Sequence, residues 1–315
     1  MQCAICGGAC RPFLAALYDD RHGFPGHFDL LQCERCGHRQ LDARFSDAEL
    51  VRLYSDYYPR RVAPDAEFMP HRETAGRRAW LDGEASGAFR WVPPCVRVLD
   101  IGSGAGRALA YHQARGCDAW GVEADENARA IAERHGLQVK IGAFDPVMFE
   151  PASFDYVTLD QVIEHAADPV PFLRGAASLL KPGGRAVLAT PNSRGWGARL
   201  FGRRWINWHV PYHLQQFSRG SLGLLAQKAG LLPESQRTLT HSAWLNYQWL
   251  HLASCPPPGR PSPFWDPARA SRILPHWIRR AAALLDDLQV NRLATRAMDA
   301  LGIGDNLLCV LRKAA

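Results

Sequence analysis

The feature that most constrains the fold is the run Val98-Leu99-Asp100-Ile101-Gly102-Ser103-Gly104-Ala105-Gly106, an apolar segment that ends in a glycine turn and passes directly into a helical pattern. The apolar part predicts a buried strand, and the glycines let the backbone approach a ligand with no Cβ in the way. The following helix presents unpaired amide groups to the same place. Together they predict a nucleoside-cofactor site at the carboxyl end of a strand. The spacing then separates the cofactors. A dinucleotide fingerprint needs its third glycine where Arg107 stands, and here the glycine falls one residue earlier, at Gly106, which counts against a nicotinamide oxidoreductase.

Around this turn the pattern alternates. Strands are predicted at 96–101, 118–123, 138–141, 154–160 and 185–190 with helices between them, which argues for a parallel sheet covered on both faces. The helix before the fifth strand is expected to be capped by Asp168, to hold Pro169 in its first turn and to end at Gly183-Gly184. Ser218 is expected to cap a further helix with Leu222, Leu225 and Ala229 on one face and Gly230 closing it. The alternation then fails. Residues 242–304 are rich in Trp, Leu and Arg, are interrupted by Cys255-Pro256-Pro257-Pro258-Gly259 and carry an amphipathic helix through 278–301; they read as a helical insertion before a last buried strand at Asn306-Leu307-Leu308-Cys309-Val310-Leu311.

At the other end, Cys3-x-x-Cys6 and Cys33-x-x-Cys36 form two knuckles, followed by Gly7 and Gly37 where the chain must curl around an ion. Zinc prefers a tetrahedral thiolate shell, and four thiolates leave no open position for catalysis, so residues 1–45 are expected to form a ribbon around a structural Zn2+. Cys10, His22 and His38 are the substitute ligands, and Cys95, Cys117, Cys255 and Cys309 are expected to be buried small apolar residues. Residues 46–94 read as a helical linker or cap. Ser46 and Glu49 have capping-box spacing, Leu50, Leu53 and Tyr54 repeat at helical intervals up to Pro59, residues 59–70 form a linker, and a second helix is expected over 71–89.

Ligands of such sheets lie at the carboxyl ends of the strands. The candidate cofactor residues are therefore Asp100, Gly102, Ser103, Gly104 and Gly106 after the first strand, Glu123 with Ala124 after the second, Asp145 after the third, and Asp160 with Gln161 after the fourth. An acidic side chain at Glu123 suits two ribose hydroxyls, and Asp145 suits an adenine amino group.

The G-x-G-x-G turn resembles motif I of the class I S-adenosylmethionine (SAM) methyltransferases. Phe154-Asp155-Tyr156-Val157-Thr158-Leu159-Asp160-Gln161-Val162-Ile163-Glu164-His165 is similar to the FD-V----V-EH segment of that superfamily, and Leu180-Lys181-Pro182-Gly183-Gly184 to its LKPGG segment. The resemblance covers residues 96–230. It implies a Rossmann-like α/β domain over 95–315 with a seven-stranded sheet in the order 3-2-1-4-5-7-6 and the insertion between the last two strands. It also implies that the glycines and Asp100 hold the methionine part of SAM, that Glu123 holds the ribose and that the fourth strand ends beside the transferred methyl. The ribbon and the run from Trp205 to Leu214 narrow the resemblance to bacterial zinc-ribbon methyltransferases, relatives of which act in surface-glycan, nucleotide-sugar or secondary-metabolite pathways. The chain departs from the longer sugar C-methyltransferases in having no large second domain after the core.

Methyl transfer by SN2 displacement requires an aligned acceptor, exclusion of water and a base when the acceptor is a hydroxyl or amine. His165, His213 and His209 are the candidate bases, and Glu164 with Asp160 is an alternative cation site. Trp196, Trp205, Trp208, Tyr212 and Phe217 read as a wall between core and cap rather than a sugar platform. The expected acceptor is a small molecule or a glycan-linked group, with O-methylation favoured. The alternatives are an RNA methyltransferase that grips RNA with the ribbon, and a catalytically silent scaffold with the same fold. Nucleic acid is not favoured, because the net charge of +6 comes mainly from arginines whose pairs at 60/61, 77/78, 203/204 and 279/280 are scattered. No apolar run approaches the roughly 20 residues of a membrane span, and the start lacks the regions of a signal peptide, so a cytoplasmic location is expected. The oligomeric state is left open.

Overall fold

The structure is a computed structural model and describes residues 1–43, 45–58, 68–265, 280, 283–285 and 287–314. Pro59, the arginine pair at 60/61, the linker up to residue 67, Arg279 and much of the amino-terminal half of the 278–301 helix lie outside the described residues.

Two sheets are present. The smaller is antiparallel, in the order β1 (Cys10–Leu17), β2 (Phe28–Cys33), β3 (Arg39–Leu41) and β9 (Gln215–Gln216). The larger runs through β4 (Arg97–Ile101), β5 (Asp118–Glu123), β6 (Gln138–Ile141), β7 (Phe154–Asp160), β8 (Leu180–Pro191), β10 (Leu231–Thr238) and β11 (Asn306–Lys313), in the spatial order β6-β5-β4-β7-β8-β11-β10. The first five of these pair in parallel, and β11 is antiparallel to both β8 and β10. This is the 3-2-1-4-5-7-6 order that the motifs imply, with β4 as strand one. Leu99, Val157, Leu159, Leu188, Leu307 and Leu311 lie wholly inside, because strands covered on both faces bury consecutive residues rather than alternate ones.

Three local expectations are corrected. The helix drawn over 71–89 is confined to Gly76–Asp82; Gly83 enters the left-handed region at φ 75° and two short 3-10 turns follow, Glu84–Ser86 and Ala88–Trp91. The Asp168 side chain makes no cap bond, and the helix Pro169–Leu179 ends before Gly183-Gly184, since Leu180 pairs with Phe154 and draws the chain into β8. Cys95 is exposed rather than buried, in a turn at φ 59° just after Pro93-Pro94, whereas Cys117 and Cys309 are buried and Cys255 is half-buried. The Ser46–Glu49 capping box forms, the Ser46 amide donating to Glu49 Oε2 at 2.8 Å, and Ser218 caps Arg219–Lys228.

The amino-terminal ribbon is sewn to the larger part. Arg39 and Gln40 of β3 pair with Gln216 and Gln215 of β9, and Leu17, Phe28, Leu30 and Leu41 share a cluster with Trp205, Trp208 and Tyr212. Trp205, Trp208, Tyr212 and Phe217 are fully buried and Trp196 is half-buried, so the aromatic segment is a wall. Between β10 and β11 the helices Ala243–Ala253 and Val290–Ala300 pack on each other, and the second lies against the 76–82 helix, where Arg292 Nε donates to Asp82 Oδ1 at 2.6 Å. Among the described residues no helix is long and apolar enough to cross a membrane.

Candidate active site

The glycine turn is a cradle fixed by steric necessity at two positions. A Cβ on Gly102 (φ 77°) would stand 2.5 Å from Val162 Cγ2, and one on Gly106 (φ 77°) 2.4 Å from Leu137 Cδ1. Gly104 is different: a Cβ there would meet nothing within 4 Å, so this glycine borders open space. Beside the turn lies a cavity of about 190 Å³ lined by Asp100, Gly102, Ser103 and Asp160 on one side and by His71 and Phe89, whose rings stack at 4.3 Å, on the other. His71 and Phe89 come from the 46–94 segment and were not among the sequence candidates.

The strand ends bring carboxylates together. Glu123 Oε2 accepts the Gly104 amide at 2.7 Å and Oε1 the Asp125 amide at 3.0 Å. Asp160 Oδ2 accepts the Ala88 amide at 2.9 Å, which ties the cap to the end of β7. Asp100 is buried at the cavity wall and accepts the Thr158 hydroxyl at 2.6 Å; burial pushes its carboxyl up to about 7, the Asp160 and Glu123 charges add to the rise, and the Thr158 bond opposes it. Three acidic groups crowded in this way favour a cationic ligand. Ser103 Oγ is buried with no hydrogen-bond partner, a polar atom waiting for one. These residues fit SAM, which carries a sulfonium and an ammonium.

Other candidates stand apart from the cavity lining. Ala124 is exposed, and Asp145 spends Oδ1 on the Val147 amide at 3.0 Å as the cap of a 3-10 turn. Gln161 is held at φ 57° with its side-chain amide donating to Asn306 Oδ1 at 3.0 Å.

Past Asp160 the chain makes a 3-10 turn, Ile163–His165, and meets the segment after β8. Here the three candidate histidines converge. The ring centroids of His165 and His213 lie 4.9 Å apart and those of His209 and His213 4.7 Å apart. The Asn207 carbonyl can only accept, so the 2.9 Å contact places a proton on His213 Nδ1. His213 Nε2 is then an acceptor in the neutral ring, facing His209 Nδ1 at 3.3 Å. His209 Nε2 is buried with no hydrogen-bond partner, and burial, then Arg21 and the neighbouring histidines, hold this imidazole well below its usual pKa. His209 sits at φ 40°, a backbone strain of the kind that accumulates at functional sites. Tyr58 and Tyr212 pack against its ring. Gln215 connects this region to the ribbon: its Oε1 lies 2.9 Å from His38 Nε2, and its Nε2 donates to the Ala166 carbonyl at 3.0 Å, next to His165.

The four knuckle cysteines close on one point. Cys3 and Cys36 Sγ are 3.6 Å apart, Cys6 and Cys33 Sγ 3.4 Å, and all four lie within 4.8 Å of one another. Thiolates about 2.3 Å from a tetrahedral zinc stand roughly 3.8 Å apart, so the set fits that ion. Cys10, His22 and His38 are outside the cluster, His38 being wholly buried against Gln215.

A motif-I cradle on the central strand of this seven-stranded topology makes the protein a SAM-dependent methyltransferase. Its membership is plain from sequence as well: the chain belongs to the family described as "Methyltransferase domain", whose profile matches residues 48–236. It is similar to the ubiquinone biosynthesis O-methyltransferase of Paraburkholderia phymatum, 28% identical over 211 residues that cover 62% of this chain and 88% of that protein. The protein of the same name from Azoarcus sp. is 32% identical over 164 residues, 50% of this chain and 67% of its own. Among solved structures, phosphoethanolamine N-methyltransferase 2 of Haemonchus contortus in complex with S-adenosyl-L-methionine matches 88% of this chain and 62% of its own with a TM-score of 0.50 and 18% identity, a likeness of fold.

Proposed function

We propose that this protein methylates a hydroxyl oxygen of a small-molecule acceptor, held where the end of β7 meets the segment that carries His209 and His213. The observation that carries the reading is the convergence of His165, His209 and His213 a few residues beyond Asp160, which itself lines the cofactor cavity. The O-methyltransferase names of the relatives support oxygen as the acceptor atom, and they lend no support to a glycan.

SAM, when bound, supplies a methyl group already activated on sulfur. Asp100, the glycine turn, Ser103 and Glu123 would hold it, and Asp160 fixes the cap through Ala88. Asp145 and Gln161 stay part of the cofactor reading only as carriers of the surrounding loops. His209 takes the hydroxyl proton on Nε2, while the Asn207 carbonyl, through His213, sets which nitrogen of His209 bears the existing proton. With its proton removed, the acceptor oxygen would be the nucleophile toward that methyl carbon, with the thioether sulfur as leaving group keeping the C–S electron pair. Tyr58, Tyr212 and the aromatic wall exclude water.

The same reading treats residues 1–45 as a ribbon around structural Zn2+, residues 46–94 as a cap, residues 95–315 as the catalytic domain, and the cytoplasm as the location. It is tested with zinc-replete protein by calorimetric SAM binding and by transfer of labelled methyl from SAM to a panel of phenols, catechols, alcohols and amines. Label in a hydroxyl-bearing acceptor is expected. No SAM binding, together with no effect of Gly104→Val, would overturn it.

A further inference from the structure

We infer that the cavity between the 76–82 helix and β10, the edge strand of the larger sheet, binds a small soluble anion that carries a flat ring and a phosphate, and that its occupancy tightens the grip on SAM. The cavity measures about 490 Å³, against about 190 Å³ beside the glycine turn. Trp80, Gly83 and the residues after them line one side; Arg219, Arg237 and the helix Val290–Ala300, with Arg296 and Asp299, line the other. A cavity of this size with several convergent polar groups is the usual seat of a small ligand.

The charge balance selects an anion. Asp299 is spent locally: its Oδ2 accepts Arg296 Nη2 at 2.8 Å and the Thr240 amide at 2.8 Å, and its Oδ1 accepts the Thr240 hydroxyl at 2.9 Å. Carboxylates on the flanking segments are paired as well, Asp82 with Arg78 and Arg292, Glu84 with Arg90, and Glu234 with Arg185 and Arg312. Among the described residues Arg219 and Arg237 make no ion pair. Arg219 Nη2 donates to the Gln236 carbonyl, and the Arg237 guanidinium lies over the Trp91 ring at 5.3 Å. Both side chains are exposed, and a guanidinium offers a planar fork of donors that matches phosphate. Trp80 is 60% exposed and presents an indole on which a flat ring can stack.

The cavity is joined to the cofactor site through the cap. Arg296 Nη1 donates to the Trp80 carbonyl at 3.0 Å, and a Cβ on Gly83 would stand 2.7 Å from Arg296 Nη2, so the end of the 76–82 helix rests on this arginine. Trp91, under Arg237, donates from Nε1 to the Ala85 carbonyl at 2.9 Å. Between these two anchors Ala88 is bonded to Asp160, and Phe89 walls the cofactor cavity. An anion that bridges Trp80 to Arg219 and Arg237 therefore fixes the segment that walls the cofactor cavity, and by linkage each ligand strengthens the other by the same factor. The effect on SAM rests on the cofactor's place beside the glycine turn; the binding of the anion does not.

The test is calorimetry on the full chain with guanosine 5′-monophosphate, chosen because an adenine ring would compete for the SAM site, and with inorganic phosphate alone. One nucleotide per chain is expected. Arg219→Gln combined with Arg237→Gln is expected to weaken both probes at least about tenfold. Trp80→Ala is expected to weaken the nucleotide about tenfold and to leave inorganic phosphate within about twofold of wild type. All three positions are exposed, and an unchanged unfolding midpoint shows that the variants report on binding. With the nucleotide saturating, SAM is expected to bind about fivefold more tightly, a gain that vanishes in Arg237→Gln. No nucleotide binding at millimolar concentration, or equal binding by wild type and variants, overturns the inference. So does SAM binding that the nucleotide weakens, which would put the nucleotide in the cofactor cavity. Pelleting with phosphatidylserine vesicles in place of nucleotide binding overturns the soluble ligand and assigns the arginines to a lipid headgroup. Absence of SAM binding with one nucleotide still bound would overturn the proposed function and leave this site standing.

Discussion

The Gly104 amide donates to Glu123 Oε2 at 2.7 Å, which locks the tip of the glycine turn to the end of the neighbouring strand. One carboxylate therefore shapes the cradle, and in the proposed reading it also holds the ribose. Glu123→Ala removes both functions and is expected to weaken SAM binding at least tenfold in calorimetry, while Glu123→Gln, which keeps an acceptor oxygen, loses less.

Asp100 has opposite effects on stability and binding. Its carboxyl titrates near 7 in the fold against 3.8 for the free group, so the folded state binds the extra proton between those values and this group's contribution to stability falls as pH rises from about 4 to about 7. Asp100→Asn is expected to raise the midpoint of thermal unfolding by a few degrees at pH 8 and by a smaller amount at pH 5. In the proposed reading SAM pairs with the ionised form that burial, Asp160 and Glu123 disfavour, so its affinity is expected to fall about tenfold from pH 8 to pH 6 in wild type. That pH dependence is expected to flatten in Asp100→Asn.

If His209 accepts the hydroxyl proton, His209→Asn should lower kcat by about 100-fold or more. SAM affinity should stay within about twofold of wild type, because His209 is not part of the cofactor cavity. Equal losses in kcat and SAM affinity would assign His209 a packing role.

Gly121 lies on β5 beneath the turn, where a Cβ would stand 2.7 Å from both Leu109 Cδ1 and Ser103 Oγ. Gly121→Ala is expected to cost about 1–3 kcal/mol in urea unfolding. Adding Ser103→Gly should recover part of it.

Cys33→Ser is expected to lose the ribbon's zinc by metal analysis and to lower the unfolding midpoint by several degrees, since a structural zinc supplies folding energy directly.

The central sheet was legible because its signals are local. Strands at 118–123, 138–141 and 154–160 fall where the apolar runs and their turn residues put them, and the glycine spacing identifies the cradle. The cysteine knuckles are legible for the same reason. Contacts between distant segments were not. Nothing in His71 or Phe89 announces that they wall the cofactor cavity, and a two-residue strand at Gln215–Gln216 leaves no periodicity to detect. The fate of Asp145 was available, since Asp followed by Pro146 is a turn signal and that turn takes its carboxylate. His165, His209 and His213 were named from the sequence by chemistry alone; which nitrogens face one another depends on the Asn207 carbonyl.

Gln215 has one end on His38 of the ribbon and the other on the carbonyl beside His165, and Gln40, its partner across β3 and β9, receives the Ala4 amide of the first knuckle at 2.8 Å. Damage to a knuckle thiol is thus two hydrogen-bonded residues away from the histidines. Peroxide that oxidises Cys6 or Cys36, the half-buried members of the set, would slacken this tie and misalign the acceptor groups while the glycine cradle stays whole. The enzyme would then behave as an oxidant-sensitive catalyst, silenced with its cofactor still in place and restored by reductant and zinc.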